Sequence, residues 1–408
     1  MRCRFIAGPI LLALALTASP RATQGLGAPF SGPLVDLAAP APAGATLPNL
    51  AVDRAGRVWL SWLEPREGGG HRFRLASIEA GRTGATWSQP LTVAEGTAFM
   101  ANWADFPSIF VTRDGTMAAH WLEGNIGRGS YGIRLRTSKD SGRTWTPTET
   151  PHKDSEAPVE HGFVSFFDAP GAGLGLIWLD GRRVEGRAGG MALRSTIVSN
   201  GKAGDELVVD PKVCECCQTS AARTADGVIV AYRDKSDGNI RDTSVSRFSA
   251  GNWSAPTVVY ADNWEINGCP VNGPSITAIG NDVAVAWFMA KASVPKVQVS
   301  FSPAGGPFGP PIRLDSGVTY GRLGMVMPAA DRVLVSSIER GEAGPQLMIR
   351  EARRDGRTGD PLAIAPMTAE RSSGFARMAL AGRRLVIAWT EVRPGAPPRI
   401  HVSSAPLR

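Results

Sequence analysis

Four thiols fall in two short phrases, Cys214-Glu215-Cys216-Cys217-Gln218 and Asn267-Gly268-Cys269-Pro270, while the fifth cysteine, Cys3, stands alone near the N-terminus. Sulfurs grouped this way have three fates. In an oxidising compartment an even set forms disulfides. Thiolates held close bind a soft metal, Cu or Zn, with His161 a candidate extra ligand, although Cys-x-Cys-Cys is not a standard zinc spacing. A dithiol with a depressed pKa does redox chemistry. If the first phrase is extended, Cys214 and Cys216 share a side and Cys217 points away. A bond between adjacent Cys216 and Cys217 is then strained, and a bridge from one of the three to Cys269 is easier. At least one disulfide involving Cys269 is the expectation, with the metal site and the dithiol kept open.

The two phrases meet only if the elements flanking them are spatial neighbours, and a repeat supplies that. A two-strand phrase recurs seven times along the chain, beginning as Leu47-Pro48-Asn49-Leu50-Ala51-Val52-Asp53 followed by Val58-Trp59-Leu60-Ser61-Trp62. The second copy reads Phe106-Pro107-Ser108-Ile109-Phe110-Val111 and then Met117-Ala118-Ala119-His120-Trp121, and the last ends at Trp389. Turns within the copies carry Ala55-Gly56, Asp114-Gly115 and Asp226-Gly227, which suit tight hairpins. A third strand follows each phrase, and a fourth often opens on an aromatic and a proline, as in Trp145-Thr146-Pro147. Four strands per unit at this spacing predict an all-β, seven-bladed β-propeller, with six blades the alternative because the sixth copy is degenerate. The seventh copy stops after its third strand. Its missing fourth is available at Pro33-Leu34-Val35-Asp36-Leu37, which would close the ring and remove the open edge.

Composition agrees. Hydrophobic residues are 43% and charged residues 20%, enough to bury a core, while Gly 47 and Pro 31 spread evenly fit many short strands rather than helices. Residues 1–22 read as a signal peptide, with Arg2 and Arg4 before an apolar run too short to span a membrane comfortably. The mature chain is then expected in the periplasm or outside the cell, as one domain over 31–408 with no transmembrane segment. Its mildly basic charge shows no basic stripe interleaved with aromatics, so nucleic acid is not an expected partner.

Ser138-Lys139-Asp140-Ser141-Gly142-Arg143-Thr144-Trp145 closely resembles the Asp-box of sialidase-like (BNR-repeat) proteins, with weaker echoes at Gly84-Ala85-Thr86-Trp87 and Gly251-Asn252-Trp253. The middle of the chain resembles a bacterial subgroup, often labelled exo-alpha-sialidase. That subgroup is marked by the cysteine phrase, Tyr232-Arg233-Asp234, Ile240-Arg241-Asp242 and Gly268-Cys269-Pro270-Val271-Asn272-Gly273-Pro274. The resemblance implies a propeller that binds a glycan-like or small anionic ligand at one central face. In sialidases that face holds three arginines, a tyrosine nucleophile with its glutamate, and an aspartate acid/base. The first arginine of that set belongs to an Arg-Ile-Pro phrase, and this chain has Thr46-Leu47-Pro48 there. Among its tyrosines, Tyr320, two residues before Arg322, is the expected one at a blade entrance.

Hairpins reverse direction, so inner strands start and second strands end on the same face. Asp105, Glu160 and Glu265 are the carboxylates there that suit glycoside hydrolysis, with Tyr320 and Arg322 beside them. Trp103 and Trp264 are candidates to stack on a sugar, although packing between blades is the commoner role of such residues. Arg233 with Asp234 and Arg241 with Asp242 flank one loop and are expected to brace each other as ion pairs. Asn272 and Arg377 complete the face. The readings that follow are an exo-glycosidase, a non-catalytic binding or scaffold propeller, and a thiolate Cu or Zn protein.

Overall fold

The structure, a computed structural model, describes residues 26–408 except 83, 126–129, 154–158, 170, 172 and 183–189. The signal peptide expected at 1–22 lies outside these residues. Seven antiparallel sheets follow one another along the chain and form the seven blades of a β-propeller. The degenerate sixth copy is as regular as the rest, with strands Thr319–Ala329, Arg332–Gly341, Gly344–Arg353 and Leu362–Pro366. Its pattern is hard to read because long unbroken runs of its first two strands are buried, which erases the alternation a half-exposed strand would show. Blade 2 is the most reduced, its fourth strand shrunk to a single bridge between Leu135 and Glu149.

The ring closes where expected. Val35–Asp36 pairs antiparallel with Arg399–Pro406, placing Val35 opposite Ser404 and Asp36 opposite Ser403. Leu37 N and Ser31 N extend the seam, donating to Val402 O and Pro406 O at 2.8 and 2.9 Å. Joining the two ends of the chain in one blade leaves no unpaired edge to splay.

A tryptophan near the end of the second strand locks each pair of blades in much of the ring. Trp62, Trp121, Trp178 and Trp287 are almost wholly buried, each against the sheet of the preceding blade. Trp62 shares a buried cluster with Val386 and Val402 of blade 7, and Trp121 shares one with Phe73 and Leu75 of blade 1. Aromatics opening the fourth strands repeat the device at the outer rim. Trp87 Nε1 donates to Leu37 O at 2.6 Å and Trp253 Nε1 to Ser195 Oγ at 2.7 Å, again onto the blade before.

In the Asp-box of blade 2, Ser138 Oγ accepts from Gly142 N at 2.9 Å, and the Asp140 carboxylate accepts from Thr144 N and Thr144 Oγ1 at 2.9 and 2.6 Å. These bonds hold the Asp140 carboxyl down at about 2. Gly142 has φ 78°, and a Cβ on it would sit 3.4 Å from both Leu75 and Trp145. Gly142→Ala is therefore expected to cost about 1–2 kcal/mol, the penalty of a side chain in left-handed backbone, read as a shift in denaturant midpoint. An unchanged midpoint would show that the box does not fix the seam.

Candidate functional site at the axial mouth

The inner strands ring a central cavity of about 250 Å³. Several enter it through an irregularity. Leu47, Phe163 and Arg322 have φ of 57°, 54° and 57° at the starts of the inner strands of blades 1, 3 and 6. The strand pairing slips beside each of them. Such bulges re-aim side chains, and L-residues adopt these angles only where the surroundings impose them.

Asp105 lines this cavity from the connection into blade 2 and is 1% exposed. Its Oδ1 accepts from Phe163 N at 2.7 Å, whereas its buried Oδ2 has no hydrogen-bond partner among the described residues. Gly162 makes room for that oxygen, because a Cβ there would lie 1.9 Å from it. Burial, opposed by the Phe163 bond and reinforced by the charge of Glu160, pushes the Asp105 carboxyl up to about 8. Asp105 therefore carries a proton at neutral pH. Glu160, half-buried at the entrance to blade 3, is also raised by burial. Two acids with upward-shifted pKa values in one neighbourhood can divide the roles of proton donor and base.

Tyr131, not Tyr320, is the tyrosine beside these acids. Its strand, Ser130–Ser138, runs next to the entrance of blade 3, where Tyr131 N donates to Val159 O at 3.3 Å. Burial and the nearby charges of Asp105, Glu160 and Cys216 raise its hydroxyl far above the ordinary phenol value, so it stays protonated. Tyr320 instead packs against the apolar core of blades 6 and 7. Glu265 is exposed in the connection between blades 4 and 5, and no interaction joins it to Asp105 among the described residues.

Arg377 is the other chemically unusual group in the cavity. Its guanidinium lies 4.9 Å from the Phe106 ring, and among the described residues it has no ion pair. Burial alone pushes it down to about 10. Phe106, Phe375 and Trp103 form an aromatic ladder with centroid separations of 5.9 and 5.8 Å. Arg322 covers the far end, 5.0 Å from the Trp103 ring, with Nη1 and Nη2 donating to Glu370 O and Ala369 O at 2.8 Å each. Trp103 is thus held by Phe375 and Arg322. Trp264 is buried, edge-on to Phe288 and beneath Arg233, so it packs rather than stacks on a ligand.

The two Arg-Asp pairs do not brace each other. Arg233 is 2% exposed and donates to backbone carbonyls instead, to Asn272 O from both Nε and Nη2, to Arg241 O and to Phe288 O. Arg241 Nη1 reaches Glu215 Oε2 at 2.8 Å and Cys214 Sγ at 3.0 Å. Asp234 accepts from Lys235 N and Ser244 Oγ, and Asp242 from Asn263 N and Trp264 N. Asn272 ties blade 5 to blade 6, its Oδ1 accepting from Arg322 N at 2.7 Å and its Nδ2 donating to Tyr320 O at 3.2 Å.

At the cysteines the chain turns over residues 215 and 216 rather than running extended, so the expected alternation fails. The turn gathers three sulfurs, with Cys214 Sγ 3.3 Å from Cys217 Sγ and 4.0 Å from Cys216 Sγ. Cys269 is near enough to Cys216 for the two thiols to influence each other, so the two phrases do converge. All four are free thiols, and the disulfide expected at Cys269 is not formed. Contacts with the Cys216 and Cys217 thiols, together with Arg241, hold Cys214 well below the ordinary thiol value. His161 does not join the sulfurs. Its ring stacks on His152 at 3.8 Å, and its Nε2 is 3.6 Å from Asp180 Oδ2.

Acids at the ends of the second strands serve packing. The indoles of Trp62, Trp121 and Trp178 donate to Glu64, Glu123 and Asp180, at 3.0, 2.8 and 2.9 Å. A sequence signal for this existed: each site reads Trp-Leu-acid.

The seven sheets define a seven-bladed β-propeller. No family model matches the chain, and no curated protein matches it. Among solved structures it is similar to a protein of unknown function from Dyadobacter fermentans, at 12% identity and TM-score 0.53 over 92% of this chain and 98% of that one. It is also similar to the phage phi92 endosialidase, at 11% identity and TM-score 0.51 over 93% and 70% of the two chains. The α-L-arabinofuranosidase Arb93A from Fusarium graminearum gives 13% identity and TM-score 0.52 over 89% and 93%. At these identities the likeness is one of fold. No helix among the described residues is long and apolar enough to cross a membrane.

Proposed function

We propose that the protein is exported and acts on a glycan bearing an acidic group, bound at the axial mouth. What carries the reading is the pairing, in one cavity, of a proton-bearing Asp105 with an Arg377 that has no anionic partner among the described residues. Arg377 is partly shielded from solvent, and a carboxylate of the ligand would pair with its guanidinium. Glu160, nearer solvent, would then serve as base while Asp105 holds the proton to be delivered. The propeller fold shared with glycan-acting proteins is consistent with this.

A second reading, glycan binding without hydrolysis, has its own observation. Thr46 stands where the sialidase pattern has arginine, and the tyrosine near the acids is held protonated. Fluorogenic α-sialosides, hexuronides and α-L-arabinofuranosides, assayed beside a glycan array, separate the two. Turnover of an acidic glycoside is expected, with Arg377→Met raising KM roughly tenfold or more and sparing the kcat of any neutral one, as loss of a charged hydrogen bond predicts. Array binding without turnover would leave the binding module. Neither binding nor turnover would overturn both readings.

A further inference from the structure

The turn after blade 3 brings together a group of side chains that the glycan reading does not use. Cys214, Cys216 and Cys217 have sulfurs all within 4.8 Å of one another, the one such group able to hold a metal among the described residues. The spacing is informative. A disulfide needs sulfurs about 2.05 Å apart. Thiolates sharing a metal at about 2.3 Å are held roughly 3.8–4.0 Å from each other, in trigonal or tetrahedral arrangement. Here the 4.0 Å separation matches the second geometry, and the 3.3 Å one lies between the two.

The backbone fixes this cluster independently of its sulfurs. Cys214 N donates to Arg233 O at 3.0 Å, and Gln218, one residue past Cys217, is held at both ends of its amide, Nε2 donating to Ala104 O and Oε1 accepting from Gly273 N. Two of the three thiols are buried, Cys216 is part-exposed, and Cys269 is exposed beside it. That gradient offers a path in from solvent. Charge is also provided for: Arg241 donates to Cys214 Sγ at 3.0 Å and to Glu215, and Lys235 also contacts Glu215. A cationic rim of this kind offsets the negative charge of several thiolates on one ion.

We propose that Cys214, Cys216 and Cys217, with Cys269 as the outer ligand, form a binding site for a single thiophilic cation, Cu(I) or Zn(II). Both are d¹⁰ ions that sulfur ligands select. Three thiolates suffice for trigonal Cu(I), whereas a four-thiolate Zn(II) site would also draw in Cys269, whose sulfur lies outside the 4.8 Å group. The site stands apart from the glycan reading and survives its failure. Because Cys216 acts electrostatically on Tyr131, metal binding would change the field at one wall of the mouth.

The test uses the full chain, purified without chelator, with metal content measured by mass spectrometry and the four cysteines read by peptide mapping after alkylation. Four alkylatable thiols and about one Cu or Zn per chain are expected. Cys216→Ser should lower the metal content at least tenfold. Cys269→Ser, at an exposed position that leaves folding intact, should abolish Zn(II) retention but spare Cu(I), which distinguishes the two ions. Substitution with Co(II) should give the visible bands of tetrahedral thiolate ligation in the parent chain and not in Cys269→Ser. A disulfide among the four cysteines, or four free thiols that leave added Cu(I) and Zn(II) unbound, would overturn the proposal.

Discussion

Asp105→Asn is expected to cut turnover of the active glycoside by about 10²–10⁴-fold, the usual worth of a positioned proton donor, while leaving the fold intact. The amide keeps the oxygen that accepts from Phe163 N and fits the space that Gly162 leaves. It cannot deliver a proton. The wild-type pH profile should rise as Glu160 ionises, above the ordinary glutamate range, and fall as Asp105 loses its proton near 8. Stability provides a second readout with a definite sign. The folded-state pKa is raised, so between the ordinary aspartate value of 3.8 and about 8 the folded protein binds one more proton than the unfolded chain. Stability from this group is whole below the lower value and declines by about 1.4 kcal/mol per pH unit until the upper one is passed. Asp105→Asn should remove that slope, and denaturation curves from pH 4 to 9 would show it. Equal slopes in parent and variant would contradict the assignment of the proton.

Arg233→Met should be the most destabilising of the single changes considered, at about 3–5 kcal/mol. The cost arises because three buried carbonyls, those of Arg241, Asn272 and Phe288, lose their donors at once. Arg233 also lies 4.9 Å over Trp264, so the change opens space beneath that ring. Lysine should rescue little, because a point charge cannot fork to acceptors on separate strands. Since Arg233 extends from the second strand of blade 4 to carbonyls of blade 5, its loss should loosen the seam between the two cysteine phrases. Faster alkylation of buried Cys217 in Arg233→Met, beside a lower denaturant midpoint, is the expected pair of results. A loss under 1 kcal/mol would mean that the carbonyls find other donors.

The architecture was legible because its signals are periodic and local. Seven copies of one hairpin phrase, an Asp-box and a spare strand at Val35–Asp36 each carry their own turn or packing chemistry, and these agree with one another. The site was legible in part. Asp105, Glu160 and Arg377 were found by asking which residues begin inner strands. Tyr131 was missed because it starts a third strand, which the repeat assigns to the flank of a blade. Only the pairing of that strand with the next blade's entrance brings it to the acids. The Arg-Asp ion pairs failed for another reason. Charge pattern displays side chains, and the acceptors that Arg233 takes are backbone carbonyls, which every residue has and no pattern marks. The turn at Glu215 and Cys216 has neither glycine nor proline to announce it, so an extended reading of the cysteines was natural and incorrect.

The functional reading turns on one proton, and carbon-13 NMR of the aspartate side-chain carboxyls can observe it directly, with the Asp105 signal assigned by its absence in Asp105→Asn. A titration midpoint near 8 is expected. A midpoint near 4, the value of an ordinary solvated aspartate, would leave Asp105 ionised at neutral pH beside Glu160 and remove the proton donor from the mouth of the propeller.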